Sequence, residues 1–289
     1  MQKYFWILLC AILLATPFAQ AQEEEYDKEI EKLSAQIAKR PKDASLLLKR
    51  ANLLCETEEY EAAILDYNKA LELSPSEELY LKCSEALAET EDYIMAYLTL
   101  SQGIQQLPNR HALHAARADI SVLKEECAAA VNDYTAAINM SKAEPDYYRA
   151  RAWAFAKQKN FANAIADYNE VVRLTGSNDA GLSLSERGEI YLQQENYAAA
   201  LADFDKAIAL NAEAQKQHEL EPSDHFYYLR GIAYMGLKNY KAALADFSKA
   251  IAIENSAAEY YEGRSQAHEA LAQHAEAKKD AATAKRLKK

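Results

Sequence analysis

Turn-forming residues are scarce in this chain, which has only seven glycines and six prolines in 289 residues. With heavy use of Ala, Leu, Glu and Lys, that scarcity leaves a helix-forming composition; half of the residues are in the hydrophobic class, enough for a sizeable core. No strands and no second domain are needed. Cations are also in deficit, 33 Lys and Arg against 44 Asp and Glu, for a net charge of −11. That balance argues against nucleic acid as a partner, because phosphates call for a basic surface.

The motifs of catalysis are missing as well. There is no HExxH, no glycine-rich phosphate loop and no GxSxG element. His111 and His114 share a helical position without a nearby cysteine and read as surface histidines. His218, His225, His268 and His274 are scattered over different faces. Cysteine lacks CxxC spacing, so no zinc pattern arises, and Cys55, Cys83 and Cys127 read as buried free thiols. The chain is read as a non-enzyme with no cofactor.

Only one long apolar run exists, Tyr4 to Ala15, shorter than the roughly 20 residues a spanning helix needs. Lys3 precedes it, and Ala19-Gln20-Ala21 follows with the small-x-small pattern of a cleavage site. Residues 1–21 are therefore expected to be a signal peptide and Gln22 the mature start, which makes the protein exported, periplasmic or secreted, with no integral membrane segment. Cys10 does not mark a lipoprotein, since Leu8-Leu9 stand where small residues are wanted.

What is present is a repeat. Aligning the chain on Asp246-Phe247 places Tyr67, Leu100, Tyr134, Tyr168, Phe204, Phe247 and Ala281 in one slot, at intervals of 33, 34, 34, 36, 43 and 34. An early small slot holds Ala63, Ala96, Ala130, Ala164, Ala200, Ala243 and Ala277 without exception. A later one holds Ala70, Gly103, Ala137, Val171, Ala207, Ala250 and Ala284. Tyr60, Tyr93, Phe161, Tyr197 and Tyr240 open the second helix, with Cys127 and His274 departing. Pro75 and Pro108 close two copies, and Pro145 and Pro222 lie in later inter-repeat turns. The clearest copy is Tyr227–Ile253, a helical hairpin in which small Gly231 is expected to face Ala243 and Ala250 while Tyr234, Tyr240 and Phe247 fill the space around them.

These slots and this period resemble the tetratricopeptide repeat family over residues 44 to 289. The resemblance implies an all-α, right-handed superhelical solenoid of stacked antiparallel hairpins. Its repeats are 44–76, 77–110, 111–144, 145–180, 181–223, 224–257 and a degenerate, capping 258–289. Residues 22–43 form an N-terminal capping helix, in which Tyr26, Ile30, Leu33 and Ile37 copy the spacing of a second helix that has lost its first. The interval of 43 suggests that the fifth repeat's second helix runs on for about two turns through 209–221, whereas 175–179 reads as a plain turn.

Six copies carry arginine in the seventh slot of the first helix and aspartate before the aromatic slot: Arg50 and Asp66, Arg117 and Asp133, Arg151 and Asp167, Arg187 and Asp203, Arg230 and Asp246, Arg264 and Asp280. The second copy lacks both, with Cys83 and Thr99. Their joint loss points to a partly buried ion pair inside each hairpin that fixes helix register.

In the family, first helices line a concave groove that binds extended peptides or helices. Carried over, the groove residues are Lys49, Asn52, Lys82, Arg149, Trp153, Glu186, Glu189, His225, Tyr228, Ile232, Met235, Glu262 and Gln266, with Asp119 between the two ends. Trp153, Tyr228, Ile232 and Met235 read as the anchors, the last three facing away from the shared scaffold. A clamp for chaperone carboxylates is not expected, because Leu48, Ala112 and Ala116 stand where cations would be needed. Lys278, Lys279, Lys285, Arg286, Lys288 and Lys289 read as a solvated last helix with cations at its negative end. The reading that results is a protein–protein interaction scaffold in a bacterial envelope, binding a protein or peptide partner. The alternatives are an envelope glycan-binding protein and a structural subunit of a membrane-associated assembly.

Overall fold

The structure is a computed structural model that describes residues 22, 24–175, 177–216 and 223–288. The signal-peptide expectation for residues 1–21 lies outside them. Among the described residues the fold is all-α, with helices α1 (24–39), α2 (Ala44–Glu56), α3 (Tyr60–Leu73), α4 (Glu77–Glu89), α5 (Tyr93–Gln106), α6 (His111–Leu123) and α7 (Cys127–Met140). There follow α8 (Pro145–Lys157), α9 (Phe161–Leu174), α10 (Ser177–Gln193), α11 (Tyr197–Lys216), α12 (Asp224–Gly236), α13 (Tyr240–Ile253), α14 (Ala258–Ala270) and α15 (His274–Leu287). No helix here is long and apolar enough to cross a membrane. The chain divides into two compact units, one ending at Met140 and the other beginning at Ser141.

In the first unit α2/α3, α4/α5 and α6/α7 are hairpins, and each packs on the next. Leu33 and Ile37 of α1 join the same core as Leu47, Tyr67, Tyr80 and Leu100. In the second unit α8/α9, α10/α11, α12/α13 and α14/α15 repeat the arrangement.

Every hairpin turn is built alike. The residue at the turn, Glu58, Glu91, Glu125, Lys159, Glu195, Lys238 or Ala272, has φ between 57 and 61°, the left-handed region that glycine prefers. The next N–H reaches back five residues at 2.7–2.9 Å, as in Asn239 N to Tyr234 O, so the first helix ends in a Schellman turn. That same residue then starts the second helix; the side chains of Asp92 and Asn239 accept from Met95 N and Ala242 N at 3.1 and 3.4 Å.

Three expectations need correction. Gly231 does not serve to bring two helices together at Ala243 and Ala250. A Cβ there would lie 2.7 Å from the Phe247 ring, and one on Gly263 of the following hairpin also 2.7 Å from it, so the two glycines make room for one buried ring. The stretch read as a turn at 175–179 already contains helix, because α10 starts at Ser177. Ser, Asn and Asp signal turns and helix N-termini equally well. Among the described residues only Cys83 is a buried thiol; Cys55 and Cys127 are half-buried. The helix expected through 209–221 is described as far as Lys216, and its remainder, 217–221, lies outside the described residues.

Candidate functional site

All six arginines form bidentate pairs with the aspartate sixteen residues on, at 2.5–2.8 Å from Nε and Nη2. The aspartates are 4–7 % exposed and therefore depend on these bonds for their solvation. The remaining nitrogen, Nη1, does something the sequence did not suggest. It donates to the residue just after the aromatic slot of the preceding second helix: Arg50 to Ser34 at 2.8 Å, Arg117 to Ser101 at 3.1 Å, Arg230 to Asp205 at 2.7 Å and Arg264 to Ser248 at 3.4 Å. Arg187 reaches Asn169 in the same way. Each of these five guanidinium groups thus joins three helices: its pair with aspartate lies inside the hairpin, as expected, and the third bond reaches the preceding helix. Ser34 shows α1 serving Arg50 as a second helix would. Where the arginine is absent, the Cys83 thiol faces Asn68 at 3.7 Å, and burial pushes that thiol up to about 12.

Each unit also has a cleft between neighbouring first helices. In the first, of about 460 Å³, Asn52, Tyr67, Lys82 and Glu85 come together. Tyr67 donates to Asn52 Oδ1 at 2.7 Å and lies 3.6 Å from the Cys55 thiol, while Lys82 pairs with Glu85 at 2.8 Å. In the second unit the same slots form a cleft of about 510 Å³, lined by Trp153, Tyr168, Glu186, Glu189, Lys157 and Lys159.

The second cleft holds groups without partners. In the first unit Tyr67 and Tyr134 donate to the side chain in the ninth slot of their own first helix, Asn52 and Asp119. Opposite Tyr168 that slot is Trp153, an indole with no acceptor, and the Tyr168 hydroxyl has no partner among the described residues. Glu186 Oε2 is enclosed and also has no hydrogen-bond donor. Burial raises the Glu186 carboxyl to about 7; Arg149 opposes the shift and Glu189 adds to it. Trp153 remains 38 % exposed, with the Lys157 ammonium 5.0 Å from its ring centroid.

Other expected groove residues are placed differently. Arg149 donates to Ser183 Oγ at 3.3 Å and lies 3.5 Å from Asp146. His225 is 3.8 Å from Glu189, and that interaction raises its pKa. Tyr228, Ile232 and Met235 are half-buried packing residues rather than free anchors. The Tyr228 ring sits 4.9 Å from that of Tyr260 and 5.9 Å from that of Phe247, and Ile232 and Met235 join the same core. A first helix in mid-stack is flanked by its own partner and by the next hairpin, which together cover part of each of these three side chains. Glu262 and Gln266 lie in a separate cleft of about 480 Å³ near Lys288, which meets Glu262 at 2.5 Å. Lys49 is exposed and joins neither group.

Family profiles described as tetratricopeptide repeat match residues 44–77, 122–179, 181–214 and 225–257. The chain is built of tetratricopeptide repeats. No curated protein matches it. Among solved structures, the C-terminal part of a tetratricopeptide repeat-containing protein from Cytophaga hutchinsonii superposes with a TM-score of 0.68. It is 15 % identical, over 84 % of this chain and 95 % of that one. A tetratricopeptide repeat protein from Parabacteroides merdae gives 0.60 at 16 % identity, over 84 and 93 %. YrrB, described as a tetratricopeptide repeat protein with an unusual peptide-binding site, gives 0.53 at 22 % identity, over 66 % of this chain and all of that one. At such identities the likeness speaks for the fold alone. Tyr168, Lys157 and Lys159 escaped the sequence reading, although comparing the ninth slot with the aromatic slot, copy by copy, would have singled out Tyr168.

Proposed function

We propose that this tetratricopeptide repeat protein is a non-enzymatic scaffold that holds a peptide or helix of a partner protein against its first helices, in the bacterial envelope or outside the cell. The observation that carries the reading is the cleft at Trp153: an open indole, a tyrosine hydroxyl with no side-chain acceptor among the described residues and an enclosed carboxylate oxygen without a donor stand together in it. Unmet polar groups beside exposed aromatic surface gain most from a bound polar chain. YrrB, with the same fold, is described as having a peptide-binding site, which supports the class of partner. Export rests on Lys3, the apolar run and Ala19-Gln20-Ala21.

Two measurements test it. A random-peptide library panned against the full chain is expected to yield binders that lose at least about tenfold in affinity with Trp153→Ala. Binders indifferent to that change, or binding of polysaccharide alone, would remove the cleft as a peptide site. Mass spectrometry of protein from the producing cell is expected to find Gln22 as the first residue; an intact Met1 would end the export proposal.

A further inference from the structure

The two clefts occupy the same slots of the repeat but reverse the charge at three of them, while Glu85 and Glu189 keep one slot acidic in both. Where the first unit has Lys82, the second has Glu186. Glu56 and Glu58 of the first correspond to Lys157 and Lys159 of the second, and Asn52 to Trp153. The reversal moves the acid from the rim to the floor. Lys157 and Lys159 are exposed, whereas Glu186 is half-buried with one oxygen fully enclosed. An acid on the floor, a second acid beside it and two aromatic rings as walls make a setting for a cation. A guanidinium or ammonium can face the carboxylates while its flat or alkyl part lies on the indole.

We infer that the Trp153–Glu186 cleft receives a lysine or arginine side chain of the bound peptide, with Glu186 and Glu189 as its carboxylate partners and the Trp153 ring as its stacking surface. This rests on the proposed peptide-binding role and adds the chemistry of one residue of the partner. The protein supplies its own stand-in, since the Lys157 ammonium already lies over the Trp153 ring at 5.0 Å. Lys157 is the last residue of α8 and is exposed, so it can swing aside. It is thus a competitor for the incoming cation and not a part of the site. An anionic partner would need the opposite, with Lys157 and Lys159 as ligands and Glu186 as an obstacle. The carboxyl held near 7 gives a further signature: a cation favours the ionised form, so its binding expels a proton below that pH. Arg149 on α8, Glu189 on α10 and Tyr168 on α9 are the charged and titratable groups named with Glu186, and Lys157 and Lys159 stand at the rim. From α12, His225 faces Glu189 at 3.8 Å with its pKa raised by that contact; it loses its charge as pH rises, which frees Glu189 for the incoming cation and acts in the same direction as Glu186.

The test uses the full chain with Trp6→Phe, which leaves Trp153 as the only tryptophan. The probes are acetylated, amidated pentapeptides with four alanines and a central Arg, Lys, citrulline or Glu, followed by Trp153 fluorescence. Saturable binding is expected for Arg and Lys and not for citrulline or Glu, tightening several-fold from pH 6 to 8. Glu186→Gln should weaken Arg binding about tenfold or more, the scale of a charge-assisted hydrogen bond. Lys157→Gln should strengthen it; retained helical circular dichroism shows that both variants are folded. Preference for the Glu peptide, equal binding of citrulline, weakening by Lys157→Gln or no response to any probe overturns the inference. If library-selected peptides still need Trp153 while Glu186→Gln leaves them unchanged, the inference fails and the peptide-binding role stands.

Discussion

Replacing Asp133 by asparagine removes the carboxylate from one three-helix junction, and replacing Asp246 does the same at another, yet the two losses should differ. Asp133 and Asp246 are equally buried, at 7 and 6 % exposure, and each holds its arginine by two short bonds. Breaking a buried pair by removing one partner costs on the order of 3–5 kcal/mol. Asparagine keeps one acceptor and the arginines are not wholly enclosed, so about 3 kcal/mol is expected for Asp133→Asn. There Arg117 keeps only neutral hydrogen-bond partners, the new amide oxygen and the Ser101 hydroxyl. Arg230, by contrast, also meets Asp205 at 2.7 Å, and that carboxylate continues to balance its charge after Asp246→Asn. The loss should then fall to about 1–2 kcal/mol, because the remaining pair is stronger than a neutral bond although partly exposed. Asp205→Ala alone should cost less than about 1 kcal/mol, but with Asp246→Asn the double variant should lose more than the sum of the two. Urea unfolding followed by circular dichroism at pH 8 measures all four variants. Equal losses at the two sites, or strict additivity of Asp205 and Asp246, would refute the three-helix role.

Glu186→Gln should alter the pH dependence of stability. The folded carboxyl, near 7 against an ordinary 4.5, binds a proton that the unfolded chain releases, so its contribution is present below pH 4.5 and is lost as pH rises through 7. Relative to wild type, the variant should therefore gain about 1–2 kcal/mol between pH 5 and 8, after allowance for partial exposure; parallel profiles would contradict the assignment. Gly231→Ala should destabilise by about 1–3 kcal/mol in urea unfolding, because the added methyl meets the buried Phe247 ring and cannot displace it freely. Lys238→Gly should stabilise by about 1 kcal/mol, since φ of 58° suits glycine better than a side chain; a lower unfolding midpoint would show that Lys238 has another role.

The repeat was legible because its slots demand one kind of residue. Ala63 and its six counterparts sit where only a small side chain fits, and all seven copies keep alanine. The arginine–aspartate pair was legible for a similar reason, as the second copy loses both members together. The outer half of that junction was not, because any acceptor can meet the spare nitrogen. Ser34, Ser101, Asn169, Asp205 and Ser248 share a place and a role but no chemistry that a pattern search would group. The half-burial of Tyr228, Ile232 and Met235 was not legible, because helical periodicity separates faces without saying how far a neighbouring hairpin covers each one. The cleft at Trp153 was half-legible: the exposed indole and the two glutamates could be picked from the first-helix slots, but the missing partner of Tyr168 depends on contact between helices.

Amide hydrogen exchange on the full chain, with and without a library-selected peptide, locates the helices that the peptide covers. Added protection is expected in α8 and α10, around Trp153, Glu186 and Glu189, with α9 and α11 unchanged apart from the segment carrying Tyr168. Protection confined to the second helices α9, α11 and α13, or none at all with a peptide shown to bind, would contradict the proposed peptide site.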